Sequence, residues 1–155
     1  MASIIQLLTF FVFSICASAE TLEGQVIKIV DGDTITLQAD QEKYRIRLSE
    51  IDTPEINQPW GKEAKSALIS KIDNAFITVT VSDTDRYGRK VGKIWLAARD
   101  VNREMVREGH AWVYERYLID QSLRKDQEYA IQHKLGLWQS TGATEPWEWR
   151  RRANN

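Results

Sequence analysis

Ile29-Val30-Asp31-Gly32-Asp33-Thr34-Ile35-Thr36-Leu37 is the stretch whose reading decides the fold. Apolar and β-branched runs, Val26 to Val30 and Thr34 to Leu37, flank an Asp-Gly pair. That is a strong hairpin signal. Such residues fit a pleated, half-buried strand, and the tight turn between them asks for positive φ, which Gly adopts cheaply and Asp tolerates. Asp33 opens the second strand, on the turn side of the sheet.

Working outward, Tyr44, Ile46 and Leu48 alternate with Arg45 and Arg47, which predicts a half-buried third strand with a cationic outer face. It runs into Ile51-Asp52-Thr53-Pro54-Glu55, where Pro54 ends the ladder. If strands two and three pair, Asp33, Asp52 and Glu55 converge on one rim. Oxygen donors in that arrangement suit a hard divalent cation such as Ca²⁺, and Arg47 offers the complementary clamp for an anionic phosphate.

Farther along, Ala64, Ala67, Leu68 and Ile72 have helical spacing, so roughly Gly61 to Asn74 is an amphipathic helix. Ile77, Val79 and Val81 alternate with threonines as a fourth strand. Asp85-Arg86-Tyr87-Gly88-Arg89 is the next turn, and Lys90 to Leu96 a fifth strand. Asp100 is placed to cap a helix over Val101 to Glu108, closed by Gly109. Asp120 is placed to cap a last helix running to about Leu135, with Gly136 as its left-handed stop. Together these predict an α+β protein: an OB-fold, a five-stranded antiparallel β-barrel with three α-helices.

The totals frame a single domain. The chain has 155 residues, 43% hydrophobic and 28% charged, with 21 basic against 22 acidic residues. A net charge of −1 announces no nucleic-acid partner, so any attraction for phosphate must be local. One local excess lies between Asp85 and Lys93. Residues 1–19 carry no charge, are apolar from Ile4 to Ile15 and end in Ala17-Ser18-Ala19, which fits a secretory signal peptide cleaved after Ala19. The apolar run is shorter than the ~20 residues of a spanning helix. Cys16, the only cysteine, leaves with the peptide. The expected organisation is therefore 1–19 signal peptide, 20–140 barrel domain and 141–155 tail. Trp147 and Trp149 in that tail are expected to pin it to the barrel and leave Arg150 to Arg152 in solvent. The expected location is secreted or periplasmic.

Singly, each candidate has a plainer role. Asp33 fits a turn residue, Arg47 a solvated strand face, and Asp85 to Arg89 a charged hairpin bend. Residues 31–34 are not an EF-hand loop, since the later ligands and the glycine at position six are absent. Two histidines and no cysteine in the mature chain disfavour a zinc site.

In order and spacing, however, Ile29 to Thr34, Arg47-Leu48 with Ile51 to Glu55, Asp85 to Arg89, Val101-Asn102 with Gly109, and Leu135 to Trp138 resemble the staphylococcal nuclease family. The resemblance spans Val26 to about Trp138. It implies Ca²⁺ held by Asp33, Asp52 and the main-chain carbonyl of Thr53. It implies that Glu55 activates or orients the attacking water, and that Arg47 and Arg89 hold the reacting phosphate. Arg86, Tyr87 and Tyr117 are implied to contact substrate. The expectation is a secreted, monomeric Ca²⁺-dependent nuclease acting on DNA and RNA. The alternative is a barrel that binds nucleic acid without cleaving it. Glu115 stands where the reference member carries a tyrosine of the nucleotide pocket.

Overall fold

Residues 20–153 are described by the computed structural model; the expected signal peptide lies outside them. The first hairpin joins β1 (Thr21–Ile29) to β2 (Thr34–Ala39), with Ile29 opposite Ile35. Its connection is four residues, closed by Val30 N–H donating to the Thr34 carbonyl at 2.8 Å. The expected two-residue turn at positive φ is therefore corrected, since neither Asp31 nor Gly32 has positive φ. Gly32 is required for room instead. A Cβ there would come within 2.7 Å of the Thr53 hydroxyl and 3.0 Å of Ala64 Cβ. Its bareness lets the β1–β2 loop lie against residue 53.

β2 pairs antiparallel with β3 (Glu42–Leu48), setting Thr34 opposite Arg47. β1 also pairs with β5 (Phe76–Thr84), and β5 with β6 (Lys90–Leu96). The barrel closes where β6 meets β3, with Arg47 opposite Val91. That last pairing is parallel, a correction to the all-antiparallel expectation. Alternating an odd number of strands leaves the two edges pointing the same way, so only a parallel seam can close them. The inward side chains Val26, Ile35, Leu37, Ile46, Ile77, Val79 and Ile94 are fully buried, each contributing roughly 1.5–3 kcal/mol by leaving water.

Two short pairs extend this frame. β4 (Ile51–Asp52) pairs with β8 (Trp112–Val113), and β7 (Arg99–Asp100) with β6. α1 (Gly61–Ile72) is inserted after β4, and α2 (Val101–Arg107) begins with the Asp100 side chain accepting from Arg103 N–H. α3 spans Leu123–Gln132, and Ser122 before it makes no side-chain capping bond. The Asp120 carboxylate accepts from the Ser122 N–H and hydroxyl in the turn that leads into this helix. The helix stops before Gly136, with Lys134 already at φ 51°.

The third correction concerns the tail. A fourth helix, α4 (Pro146–Ala153), follows the three expected ones, and Pro146 at its start costs no hydrogen bond because a first-turn N–H has no helical partner. None of the described helices is long and apolar enough to cross a membrane.

Candidate active site at the barrel rim

The rim is built by local hydrogen bonding. Asp33 N–H donates to the Asp31 carboxylate at 3.0 Å, which fixes the loop entering β2. The Asp33 side chain then turns toward residue 53. Its Oδ2 accepts from Thr53 N–H at 2.9 Å and from the Thr53 hydroxyl at 3.0 Å, while Oδ1 accepts from the Thr34 hydroxyl at 3.2 Å. Two stretches twenty residues apart are thereby locked side by side.

Arg47 lies between the two aspartates. Its Nη1 is 3.2 Å from Asp33 Oδ2 and its Nη2 is 2.9 Å from Asp52 Oδ1. Nη1 also donates to the carbonyls of Leu48 and Ile51, at 2.8 and 3.0 Å. The planar fork of arginine suits this bridging in a way a lysine ammonium does not.

Arg89 reaches the same rim from the β5–β6 turn. That turn is held by Asp85, whose Oδ1 accepts from the N–H groups of Tyr87 and Arg89. Gly88 takes the positive φ of 76° that the bend requires. The Asp85 Oδ2 accepts from Arg89 Nε at 2.7 Å, and Arg89 Nη1 points to the Thr34 hydroxyl at 3.4 Å. Thr34 therefore links Arg89 to Asp33. Burial opposes ionisation of Asp85, yet its bonds from Arg89 and Tyr87 hold its carboxyl below the usual range. Tyr87 lies exposed beside this arginine, its ring 5.7 Å from the guanidinium, and Arg86 donates to the Tyr87 hydroxyl at 2.8 Å.

Glu55 follows on the loop after β4. Its N–H donates to the Gln58 side chain at 3.1 Å. Tyr117 is exposed and packs edge-on against Tyr114, ring centroids 5.0 Å apart. Glu115 is paired with Arg124 at the surface.

Sequence reading missed one residue of this site. Arg150, on α4, comes back to the rim and donates to Asp52 Oδ2 at 2.6 Å, to Asp52 Oδ1 at 3.2 Å and to Glu55 Oε1 at 2.7 Å. The expectation of a solvated arginine run is corrected for Arg150, while Arg151 and Arg152 are exposed as expected. Trp147, one turn before Arg150, anchors the helix, and residues three apart share a helix face. That spacing was the available signal, with an aromatic anchor and a guanidinium on one face.

The charge balance of the rim is uneven. Burial raises the Asp52 carboxyl above its usual range, Arg150 and Arg47 pull it down, and Asp33 raises it again. Burial, with Asp33 alongside, pushes Asp31 up to about 6. Burial would lower the Arg150 guanidinium, but its bonds to Asp52 and Glu55 outweigh that and raise it. Among the described residues, the four carboxylates Asp31, Asp33, Asp52 and Glu55 outnumber by two the guanidiniums paired within the group, Arg47 and Arg150, since Arg89 is paired with Asp85. One divalent cation would neutralise that excess. Among the described residues, no three His, Cys, Asp or Glu side chains converge closely enough to hold a metal ion. A fit therefore has to come from two carboxylates and a carbonyl, with water for the remainder. That is an all-oxygen donor set, as a hard cation prefers.

A small closed barrel with buried aspartates and guanidiniums on one rim defines a class built to handle phosphate groups. The family model described as "Staphylococcal nuclease homologue" matches residues 45–140. An Escherichia coli protein named ParB is 40% identical over 146 residues, covering 86% of this chain and 82% of that protein. An uncharacterized endonuclease of Escherichia coli O157:H7 is 39% identical, covering 94% of this chain and 95% of its own length. The micrococcal nuclease of Shigella flexneri is 35% identical, covering 85% and 82%. The chain belongs to the staphylococcal nuclease family.

Proposed function

We propose that the protein is a secreted or periplasmic, Ca²⁺-dependent nuclease that hydrolyses phosphodiester bonds of DNA and RNA as a monomer. Its family and the nuclease and endonuclease names of its relatives support the hydrolase activity. The observation that carries the mechanism is the chain of contacts Asp33–Arg47–Asp52, with Arg89 joined to it through Thr34.

Hydrolysis forms a bond from water oxygen to a phosphorus that is already anionic and breaks one of its ester P–O bonds, the leaving oxygen departing as a hydroxyl, so charge grows as the new bond forms. In our reading Asp33, Asp52 and the Thr53 carbonyl would hold Ca²⁺, which would supply positive charge to offset the negative charge of the phosphate. Arg89 faces the phosphate with the guanidinium hydrogens that Asp85 leaves free. Arg47 keeps the two aspartates aligned and lends its charge to the same oxygens. Glu55, at the open edge of the rim, orients the water and takes its proton. Arg86, Tyr87 and Tyr117 line the approach, where exposed rings offer stacking surface to bases. Residues 1–19 direct export.

The test is cleavage of single-stranded DNA and RNA by the mature protein with Ca²⁺ or with excess chelator. Cleavage in Ca²⁺ that stops in chelator is the expected result. Absence of cleavage in Ca²⁺, or cleavage undiminished by chelator, would refute the reading.

A further inference from the structure

Glu55 has a weakness that the rest of the rim does not share. It stands on a loop, its side chain is 37% exposed, and among the described residues Arg150 is the only side chain bonded to its carboxylate. Asp33 and Asp52, by contrast, are braced by strand neighbours and by Arg47. A glutamate free to sample its rotamers would spend little time aimed at a phosphate. A misplacement of about 1 Å can cost about 10² in rate.

We infer that Arg150 is a positioning residue of the hydrolytic site, acting through Glu55, and that α4 serves to deliver it. This rests on the nuclease reading given above. One Nη of Arg150 bridges Asp52 and Glu55, and the other closes the fork on Asp52. The result is a continuous ionic chain, Asp33–Arg47–Asp52–Arg150–Glu55, that carries the rigidity of the barrel out to the loop.

Delivery is equally specific. The Trp147 ring lies parallel to Tyr114, centroids 5.3 Å apart at 2°, and edge-on to Trp112 at 6.1 Å. Gln58 ties the approach to the same loop: its Nε2 donates to the Thr144 carbonyl at 2.7 Å while its Oε1 accepts from Glu55 N–H. The Glu55 loop and the tail are thus fastened twice, once by backbone and once by charge. α4 lies beyond the residues the family model matches.

The opposing possibility is a plug, in which Arg150 blocks the carboxylates a cation needs. Charge argues against it. With Arg150 in place the four rim carboxylates still exceed the two guanidiniums bonded to them by two charges, and although both Asp52 oxygens carry a guanidinium, Asp33 Oδ1 accepts, among the described residues, from the Thr34 hydroxyl alone.

The experiment uses the full mature chain carrying Arg150→Gln, Arg150→Lys, Trp147→Ala, Glu55→Gln, or Arg150→Gln with Glu55→Gln. Steady-state cleavage of a short DNA oligonucleotide is followed at saturating Ca²⁺. Arg150 keeps 38% of its side chain exposed, so its loss spares the core, and thermal unfolding checks each variant. We expect Arg150→Gln to lower kcat about 10²-fold with KM within about threefold. Trp147→Ala should lose a similar factor, because the arginine is present but undelivered. Arg150→Lys should recover part of the loss, keeping the charge without the fork. In the Glu55→Gln background Arg150→Gln should cost nothing further, the mark of one residue acting through the other. The inference is overturned if Arg150→Gln leaves kcat within threefold of the unmutated protein, or raises it as removal of a plug would. It is also overturned if the full loss recurs in the Glu55→Gln background. If the unmutated protein does not cleave, the nuclease reading fails instead. Hydrogen exchange of residues 55–58 in the metal-free protein then decides the positioning role, expected to quicken in Arg150→Gln and overturning that role if unchanged.

Discussion

Two ionic clusters in this molecule use the same chemistry to opposite ends. One is the rim, Asp31, Asp33, Arg47, Asp52, Glu55 and Arg150. The other gathers Glu50, Lys93, Asp100, Arg103, Asp120 and Asp126, where the β3–β4 turn meets α2 and α3. In the second cluster four carboxylates likewise outnumber the cations that reach them, Lys93, Arg103 and Arg107, but backbone N–H and hydroxyl donors complete the supply. Glu50 accepts the N–H groups of Ile119 and Asp120 at 2.7 and 2.5 Å. Asp126 holds both Arg103 and Arg107. Asp120, bonded first by the Ser122 hydroxyl and then by cations, is held down at about 2. At the rim, burial raises Asp52 and Asp31 in spite of the arginines nearby. A saturated cluster fastens elements together. An undersupplied one is what a site for a cation and a phosphate looks like before either arrives.

The sharpest way to break that contrast is Arg89→Ala. Arg89 sits at the edge of the undersupplied cluster, and its own partner Asp85 is on an exposed turn. Removing a preorganised donor to a growing negative charge costs about 3 kcal/mol, or roughly 10²–10³ in rate. We expect cleavage to fall by at least about 100-fold while Tm moves by less than about 4 °C. Comparable activity in the variant would take Arg89 out of the chemistry and weaken the division between the clusters.

Most of the rim is legible in sequence because its geometry follows from strand pairing. Once β2 and β3 pair, Thr34 must face Arg47, and Asp33 and Asp52 must fall at the same end. Residues joined by a ladder carry their register with them. Arg150 was not legible for the complementary reason. It lies 98 residues from Asp52, and nothing between them fixes a register. Its placement depends on Trp147 finding Tyr114 and on Gln58 finding Thr144, contacts that no periodicity encodes. The same distinction explains Gly32. A glycine after Asp reads as a turn conformation, whereas its real requirement, clearance for Thr53, appears only when two distant loops are brought together.

The fastening cluster should respond in stability and not in rate. Arg103 donates to Asp120 at 2.7 Å and to the Ser122 hydroxyl at 2.8 Å, and it also grips Asp126. Arg103→Ala removes all three and leaves the buried Asp126 to Arg107 alone. A cost of about 2 kcal/mol is expected, since a buried charge loses part of its hydrogen bonding. Chemical denaturation measures it, and cleavage per folded molecule should stay within about twofold of the unmutated protein. A large rate loss without destabilisation would place the second cluster in the chemistry and dissolve the comparison.

The smallest effect is also the most specific, because it has a sign. Asp120 titrates at about 2 in the folded protein, against an ordinary value of 3.8. The folded state therefore binds its proton less readily than the unfolded chain does. The stabilisation this represents is present in full above about pH 4 and disappears as pH falls toward 2. Asp120 keeps 30% of its side chain exposed, so water screens the interaction and the effect should stay under about 1 kcal/mol. Rim carboxylates shift in the other direction, so the unmutated curve alone cannot isolate it. The difference between unmutated protein and Asp120→Asn can. That difference should be constant from pH 7 to about pH 4 and shrink toward zero near pH 2. A difference that grows on acidification would mean that Asp120 takes up its proton more readily in the folded state, and that its cluster is as short of donors as the rim is.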